Sequence, residues 1–291
     1  MRQIKALAGL LGQNGGMPSV APAGPPTTPS PSARGAVARW REVVWPREHG
    51  SWSFALEPLA LGLIAAPSLA GACLALAVFA GFLARRPLRQ ALSDPQPARR
   101  AEARGPLALI SLVALVGLAG AVGWGGVAWL QWLVPAAAAG ALFLRFDLRA
   151  AGREEIAEVA GTSAFALVPA ALAALAGWSP ESGAALALLM VGRAAPSVLT
   201  VRACVRAAKT GERRVAPALI STGLALVVAV GFVRGGIAPA AAAWLLALFA
   251  ARSLALLVWP RPALRARTLG MIETVLGAFF VLQVASRWLS E

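Results

Sequence analysis

The feature of this sequence that most limits its fold is a series of long apolar runs from residue 51 to residue 288, separated by short polar gaps. Most runs have the roughly 17–25 residues that a helix needs to cross ~30 Å of hydrocarbon. The pattern predicts an all-α, polytopic transmembrane helical bundle of about nine helices. We expect the crossings at Ser51–Ala66, Leu69–Ala84, Pro106–Gly123, Val127–Leu144, Ala157–Gly177, Gly183–Val201, Val215–Val233, Ala238–Val258 and Leu269–Trp288.

The composition agrees with a lipid environment. The chain has 291 residues, of which 58% are hydrophobic and only 14% are charged, with a mean hydropathy of +0.68. Soluble domains are nearer to about a quarter charged. The formal charge of +14 does not indicate nucleic-acid binding, because the basic residues lie in the short gaps where membrane topology alone demands them.

The alternation of basic gaps predicts the orientation of the helices. Of the odd-numbered gaps, only the seventh holds a basic residue, Arg234. The even-numbered gaps hold Arg85, Arg86, Arg89, Arg99, Arg100, Arg104, Arg145, Arg149, Arg153, Arg202, Arg206, Lys209, Arg213, Arg214, Arg261, Arg265 and Arg267. Because cytoplasmic loops collect Lys and Arg, we expect the even gaps and the N-terminus in the cytoplasm, and the C-terminus outside.

The first 44 residues differ from the rest of the chain. Residues 17–32 are rich in proline and serine and have too little apolar surface to offset the entropy of ordering. We therefore predict a disordered cytoplasmic tail over residues 1–44 and a single transmembrane helical domain over residues 45–291.

A short pattern recurs after the second and sixth runs. Arg85 and Arg89 are four residues apart, and so are Arg202 and Arg206, so each pair lies on one helical face. A turn signal, a double arginine and a proline-initiated apolar run follow each pair. Four runs separate the copies, so the echo suggests two parallel four-helix repeats plus one helix. The alternative is chance recurrence in a chain rich in Ala, Leu and Arg.

Four ionisable residues interrupt the apolar runs and are the main candidates for a site. Counting ~1.5 Å per residue from each cytoplasmic helix end places all of them at a similar depth, roughly 8–13 Å. Charges at that depth are costly and need partners. One interpretation is a polar cavity open to the cytoplasm, and the other is a set of Glu–Arg bridges that only fix helix packing. The four residues are Glu57, Arg193, Arg252 and Glu273.

Two further residues lie near the expected mouth of this cavity. His49, in the segment from Pro46 to Trp52, can donate, accept or titrate near neutral pH, although a lone histidine at the interface is more often simply hydrated. Arg86 follows the second run. His49 is the only histidine, which excludes His-cluster metal sites and bis-histidine haem within one chain. We expect neither a metal nor a cofactor.

The chain has one acidic cluster, in the gap after the fourth run. Because Arg149 and Arg153 lie among its carboxylates, we expect a loop that neutralises itself rather than a cation site. The carboxylates are those of Asp147, Glu154, Glu155 and Glu158.

Short motifs resemble the YwiC-like family of bacterial membrane proteins. The resemblance rests on the segment from Pro46 to Trp52, on Glu57-Pro58, on Arg85 to Leu88, and on Gly270 with Glu273. It spans roughly residues 45–288 and implies a multi-pass protein of the bacterial cytoplasmic (inner) membrane. The resemblance assigns no catalytic residue.

A looser likeness is to UbiA-type prenyltransferases, which are also nine-helix bundles with an external C-terminus. Their active sites lie over the cytoplasmic loops after helices two and six, where aspartate-rich motifs hold magnesium and a prenyl diphosphate. This chain lacks those motifs and has arginines at both places instead. Arginines bind phosphate directly but do not hold Mg²⁺. The basic residues at these positions are Arg85, Arg86, Arg89, Arg202 and Arg206.

Three functions are compatible with these observations. The first is binding or modification of an amphiphile with an anionic head, such as an isoprenoid or a phospholipid, in the polar cavity. The second is transport of a small solute through the same cavity, and the third is a non-catalytic role as an assembly partner or scaffold. Beyond the lipid bilayer, the sequence identifies no protein partner.

Overall fold

The computed structural model of the chain describes residue 40 and residues 42–45, 49–152, 154–212, 214–258 and 266–290, without the side chains of residues 49–51, 266, 267 and 290. This part of the chain is helical, with short connections and no strand. The tail predicted over residues 1–44 lies almost wholly outside the described residues.

Ten helices follow one another along the described residues. They are α1 (His49–Ala65), α2 (Leu69–Ser93), α3 (Pro97–Gly125), α4 (Leu130–Leu148), α5 (Glu155–Ala166), α6 (Val168–Leu175), α7 (Pro180–Thr210), α8 (Ala216–Arg234), α9 (Ala240–Val258) and α10 (Ala266–Ser290). The polytopic all-α bundle predicted from the sequence is confirmed. Each predicted crossing coincides with a helix, except the fifth, which consists of α5 and α6.

The fifth crossing is broken at Leu167, where α5 ends and α6 begins. Pro169 lies in the first turn of α6 and has no N–H to donate, so the α-helical hydrogen bonding is interrupted here. The amide of Ala170 donates instead to the carbonyl of Leu167, at 3.3 Å. The proline therefore accounts for the break.

Seven helical stretches in the described part of the chain are long and apolar enough to cross a membrane, with α5 and α6 counted together. These properties make the chain a multi-pass membrane protein. The two other predicted crossings correspond to α1, whose apolar part Trp52–Ala65 is shorter, and to α4. The sequence had already placed the first crossing at the lower limit of length.

Helices α2 and α7 both continue past the apolar runs that were predicted as membrane crossings. Helix α2 ends at Ser93 rather than Ala84, and α7 ends at Thr210 rather than Val201. Helix α3 also begins early, at Pro97. A hydropathy pattern marks only the apolar part of a helix, so it does not show how far these polar extensions continue. Arg85, Arg89, Arg202 and Arg206, assigned from the sequence to the basic cytoplasmic gaps, lie in these helical extensions, each pair on one helical face as its spacing of four residues predicted.

The connections after α2, α4 and α7 lie at one end of the bundle, together with the start of α1 and α10; we call this end the basic side. At the opposite end, α1 and α2 are joined by a very short turn, in which Ser68 caps α2 by accepting a hydrogen bond from the Gly71 amide at 3.0 Å. Buried side chains of α1, α7, α9 and α10 share one apolar core. Helix α3 packs mainly on α2, and helix α8 packs on α7 and α9; both expose long apolar faces.

Candidate functional site: a buried cluster of charged side chains

Four helices each contribute one charged side chain to a single cluster inside the bundle. Glu57, Arg252 and Glu273 lie about 9–12 Å from the basic ends of their helices, at ~1.5 Å per residue. Arg193 lies farther from the end of its helix, because α7 continues past its apolar run to Thr210. The cluster consists of Glu57 of α1, Arg193 of α7, Arg252 of α9 and Glu273 of α10.

Alternating charges connect the four side chains. Arg193 Nη2 lies 3.9 Å from Glu57 Oε2, and Arg193 Nη1 lies 3.2 Å from Glu273 Oε2. The other carboxylate oxygen of Glu273 contacts Arg252 Nη2. Glu273 therefore bridges the two arginines, and Glu57 is attached to the cluster only through Arg193.

Arg193 is the most firmly held member. Its Nη2 donates to the main-chain carbonyl of Glu273 at 2.8 Å, and its Nη1 donates to Ser197 Oγ at 2.5 Å. Its guanidinium carbon lies 4.8 Å from the centre of the Phe249 ring, a cation–π arrangement. These contacts supply part of the compensation that a buried guanidinium requires.

The cluster is buried to different extents. Arg193 is 3% exposed, Glu273 7% and Glu57 9%, whereas the side chain of Arg252 is 17% exposed. Two positive and two negative groups give the cluster no net formal charge. Arg252 is therefore the member that is most open to a ligand.

Glu57 is the least firmly held member of the cluster. Its contact with Arg193, at 3.9 Å, is the longest in the cluster. Its carboxylate packs directly over Gly277, one turn beyond Glu273 on α10. Nearby, Ser53 Oγ and Thr274 Oγ1 lie 2.6 Å apart and join α1 to the same face of α10.

Ser197 and Thr200 were not predicted as part of the site. With Arg193 they lie on one face of α7, at spacings of four and seven residues, and both are buried. Thr200 Oγ1 and Arg193 Nε are buried without a hydrogen-bond partner in the described part of the chain. A polar face thus runs along α7 from the cluster toward the basic side. The i, i+4, i+7 spacing of these polar residues within an apolar run is the sequence pattern that could have predicted this face.

Arg86, predicted near the mouth of the cavity, contacts the chain just before α1. Its Nη1 donates to the main-chain carbonyl of Trp45, at 2.5 Å, just before α1. The ring of Trp45 lies 4.8 Å from that of Trp52, so Arg86 and the two tryptophans hold the start of α1 against α2. His49 begins α1, but its side chain lies outside the described part of the chain.

A second group of ion pairs lies at the α4–α5 turn, on the basic side. Asp147, only 2% exposed, accepts hydrogen bonds from Arg85 Nε at 3.1 Å and from Arg85 Nη2 at 3.0 Å. Arg89 Nη1 donates to the same carboxylate at 3.4 Å. The Arg85 guanidinium also lies 4.6 Å from the centre of the Phe143 ring.

The other arginine pair binds the same turn from α7. Arg202 Nη1 lies 2.6 Å from Glu158 Oε2, and Arg202 Nε lies 3.8 Å from Glu155 Oε2. Arg206 Nη2 lies 4.0 Å from the Glu155 carboxylate. Arginines of α2 and α7 thus pair with three of the acidic residues, which the prediction of a self-neutralised loop did not include; Arg153, which that prediction invoked, lies outside the described residues.

Metal binding finds no support among the described residues, where no three His, Cys, Asp or Glu side chains are grouped closely enough to hold an ion. The acidic residues at the α4–α5 turn face arginines. Arginines paired with carboxylates are common to both clusters, and a guanidinium can also bind an anion.

No curated protein and no solved structure matches the chain significantly. One family model does match, with the description YwiC-like protein, over residues 45–174. The match begins at the Pro46 to Trp52 motif and includes Glu57, Arg85 and Asp147. The resemblance predicted from the sequence is confirmed over residues 45–174, and the motif of Gly270 with Glu273 lies outside the matched part.

Proposed function

We propose that this YwiC-like integral membrane protein binds an amphiphile with an anionic head at the cluster of Glu57, Arg193, Arg252 and Glu273. The ligand would be a phospholipid or an isoprenoid whose chains lie among the apolar helices. Its head would reach the cluster from the basic side, which we assign to the cytoplasm of a bacterial cell. The arginine-rich helix ends support that orientation.

The observation that carries the proposal is that two arginines share one carboxylate. Glu273 contacts both Arg193 and Arg252, while Arg252 has no other ion pair among the described residues. An anionic head at Arg252 would give this guanidinium a carboxylate or phosphate of its own. The buried and unpartnered Nε of Arg193 is a further donor for such a ligand.

The arginine pairs of α2 and α7 support the buried cluster as the site rather than the cytoplasmic helix ends. In UbiA-type enzymes the diphosphate is bound at the ends of helices two and six. Here Arg85 and Arg89 bind Asp147, and Arg202 binds Glu158. Both groups of arginines are ion-paired, but the side chains of Arg193 and Arg252 are 2% and 17% exposed, against 31%, 49% and 23% for Arg85, Arg89 and Arg202. An anion gains more from a guanidinium that is shielded from water, which favours the buried cluster.

The test is to identify the lipids that stay with the protein after extraction in an uncharged detergent. We expect mass spectrometry to find one anionic lipid enriched over its share of the total membrane lipid. Lipids retained in the same proportions as in the whole membrane would contradict the proposal and would favour a non-catalytic assembly role.

One observation favours transport of a small solute as a second candidate. Helices α5 and α6 form a crossing that is broken at Leu167, and transporters commonly bind their substrates at broken helices. Flux of an anion across proteoliposomes containing the purified protein, above that of empty vesicles, would favour this function. Retention of a lipid without flux would favour the first.

A further inference from the structure

The four charged side chains also indicate the charge of the ligand, and this inference rests on the proposed function. Two arginines and two glutamates balance one another, so a ligand anion that enters the cluster brings one negative charge too many. An uncompensated charge inside a membrane protein is costly. Binding is therefore favoured if the cluster gains one positive charge at the same time.

A proton on one carboxylate supplies that charge, and the geometry selects Glu57 as the carboxylate. Glu273 is held between two arginines, with its oxygens 3.2 Å from Arg193 and in contact with Arg252. Among the described residues the one ion pair of Glu57 is with Arg193, at 3.9 Å, and its carboxylate packs over Gly277. Neutralising Glu57 thus breaks the weakest ion pair of the cluster and leaves the others intact.

The other helices packed on α1 do not change this balance. Helix α6 has no ionisable side chain, α7 contributes Arg193 and α10 contributes Glu273. The charged side chains of α2 and α5 with described contacts are bound elsewhere, to Asp147, to the Trp45 carbonyl and to Arg202. They are Arg85, Arg86, Arg89, Glu155 and Glu158.

We infer that the protein binds a singly charged anionic head, a phosphodiester or a carboxylate, together with one proton that is taken up by Glu57. The O–H bond forms on a Glu57 oxygen, the Arg193–Glu57 ion pair is lost, and the ligand anion restores neutrality at Arg252. A dianionic head would leave one negative charge uncompensated. The cluster therefore prefers a monoanion.

The experiment uses the purified full chain in an uncharged detergent, titrated with short-chain phosphatidylglycerol and with phosphatidylcholine of the same chain length. Phosphatidylglycerol keeps one negative charge from about pH 5 to about pH 8, so any pH dependence arises in the protein. We expect the affinity for phosphatidylglycerol to rise up to about tenfold for each pH unit lowered, as uptake of one proton requires. In weak buffer, a pH indicator should report one proton taken up per lipid bound.

The variant Glu57→Gln should bind phosphatidylglycerol as tightly as the wild type does at low pH, with no pH dependence. Glu57→Asp keeps the carboxyl group, so its affinity for phosphatidylglycerol should still depend on pH. Two results overturn this inference while leaving the proposed function standing. One is selective binding of phosphatidylglycerol without any uptake of a proton, and the other is a pH dependence of binding that persists in Glu57→Gln. Equal binding of phosphatidylglycerol and phosphatidylcholine at every pH overturns both this inference and the proposed function. The wild-type proton count decides the matter even if Glu57→Gln fails to fold.

Discussion

The carboxylate of Glu57 occupies the space that a methyl group on residue 277 would need. Gly277→Ala therefore forces Glu57 away from Arg193 and leaves that guanidinium with only part of its compensating charge. We expect the free energy of unfolding to fall by about 0.5–3 kcal/mol, the usual range for a destabilising substitution. Unfolding of the detergent-solubilised protein by sodium dodecyl sulfate measures the change.

The matched control is Gly270→Ala, two turns earlier on α10, where a methyl group meets no atom within 4 Å. Alanine is the better helix former by about 0.8–1 kcal/mol, so this variant should be as stable as the wild type or slightly more so. Equal effects of the two substitutions would contradict the contact between Glu57 and Gly277.

Asp147 should be a main determinant of the stability of the α4–α5 turn. Asp147→Asn replaces a buried carboxylate that accepts hydrogen bonds from Arg85 and Arg89, so we expect a loss of roughly 1.5–3 kcal/mol. Glu212→Gln is the control. Its pair with Arg214, at 3.8 Å, is largely exposed, and its removal should change stability by less than about 0.5 kcal/mol. A loss no larger than that of the control would show that the Asp147 contacts contribute nothing.

Ala150 adopts a left-handed backbone conformation, with a φ of 58°, in the same turn. That conformation costs a residue with a Cβ atom roughly 1–2 kcal/mol, and glycine avoids the cost. Ala150→Gly should therefore raise stability by about 0.5–1 kcal/mol, after the larger entropy loss of glycine is subtracted. Ala151→Gly, next to it and without a positive φ, should lower stability. If both lowered the unfolding midpoint equally, the turn would have a different conformation.

The orientation of the bundle can be tested by labelling single cysteines, after replacement of Cys73 and Cys204 by alanine. Ser93, Thr210 and Ser179 are all exposed, so their labelling depends on the side of the membrane and not on burial. Cysteine at Ser179 should react with an impermeant maleimide added to intact cells. Cysteine at Ser93 or Thr210 should react only after lysis. Labelling of Thr210→Cys in intact cells would reverse the assignment of the basic side to the cytoplasm.

Several features of the fold could be predicted because membrane physics leaves strong marks on a sequence. Apolar runs located the helices, and the turn at Ser68 followed from the two-residue gap between the first two runs. The convergence of Glu57, Arg193, Arg252 and Glu273 followed from the cost of a lone charge in lipid.

The sequence could not predict the contacts that depend on tertiary packing. Asp147 and Arg85 are 62 residues apart, and no local spacing relates them. The proximity of Arg149 and Arg153 in the chain gave no indication that arginines of α2 and α7 also pair with the acidic cluster. The hydropathy pattern did not show how far α2 and α7 continue past their apolar runs. Gly277 was missed because a glycine in a membrane helix has many uses, and only the structure shows which side chain covers it.

The most direct test of the account is the retention of phosphatidylglycerol by Arg252→Gln. Arg252 is the most exposed member of the cluster. When Arg252 is replaced, Arg193 still pairs with the Glu273 carboxylate. Arg104→Gln removes the same charge from the exposed start of α3 and serves as the control.

Native mass spectrometry should count bound phosphatidylglycerol on each protein at matched lipid concentration, with the unfolding midpoint measured alongside. We expect Arg252→Gln to remain folded and to lose at least about 1.5 kcal/mol of binding free energy, roughly tenfold in affinity, as the loss of a charged hydrogen bond predicts. Arg104→Gln should bind as the wild type does. Folded Arg252→Gln that retains phosphatidylglycerol as well as the wild type and Arg104→Gln would contradict an anionic ligand at this cluster.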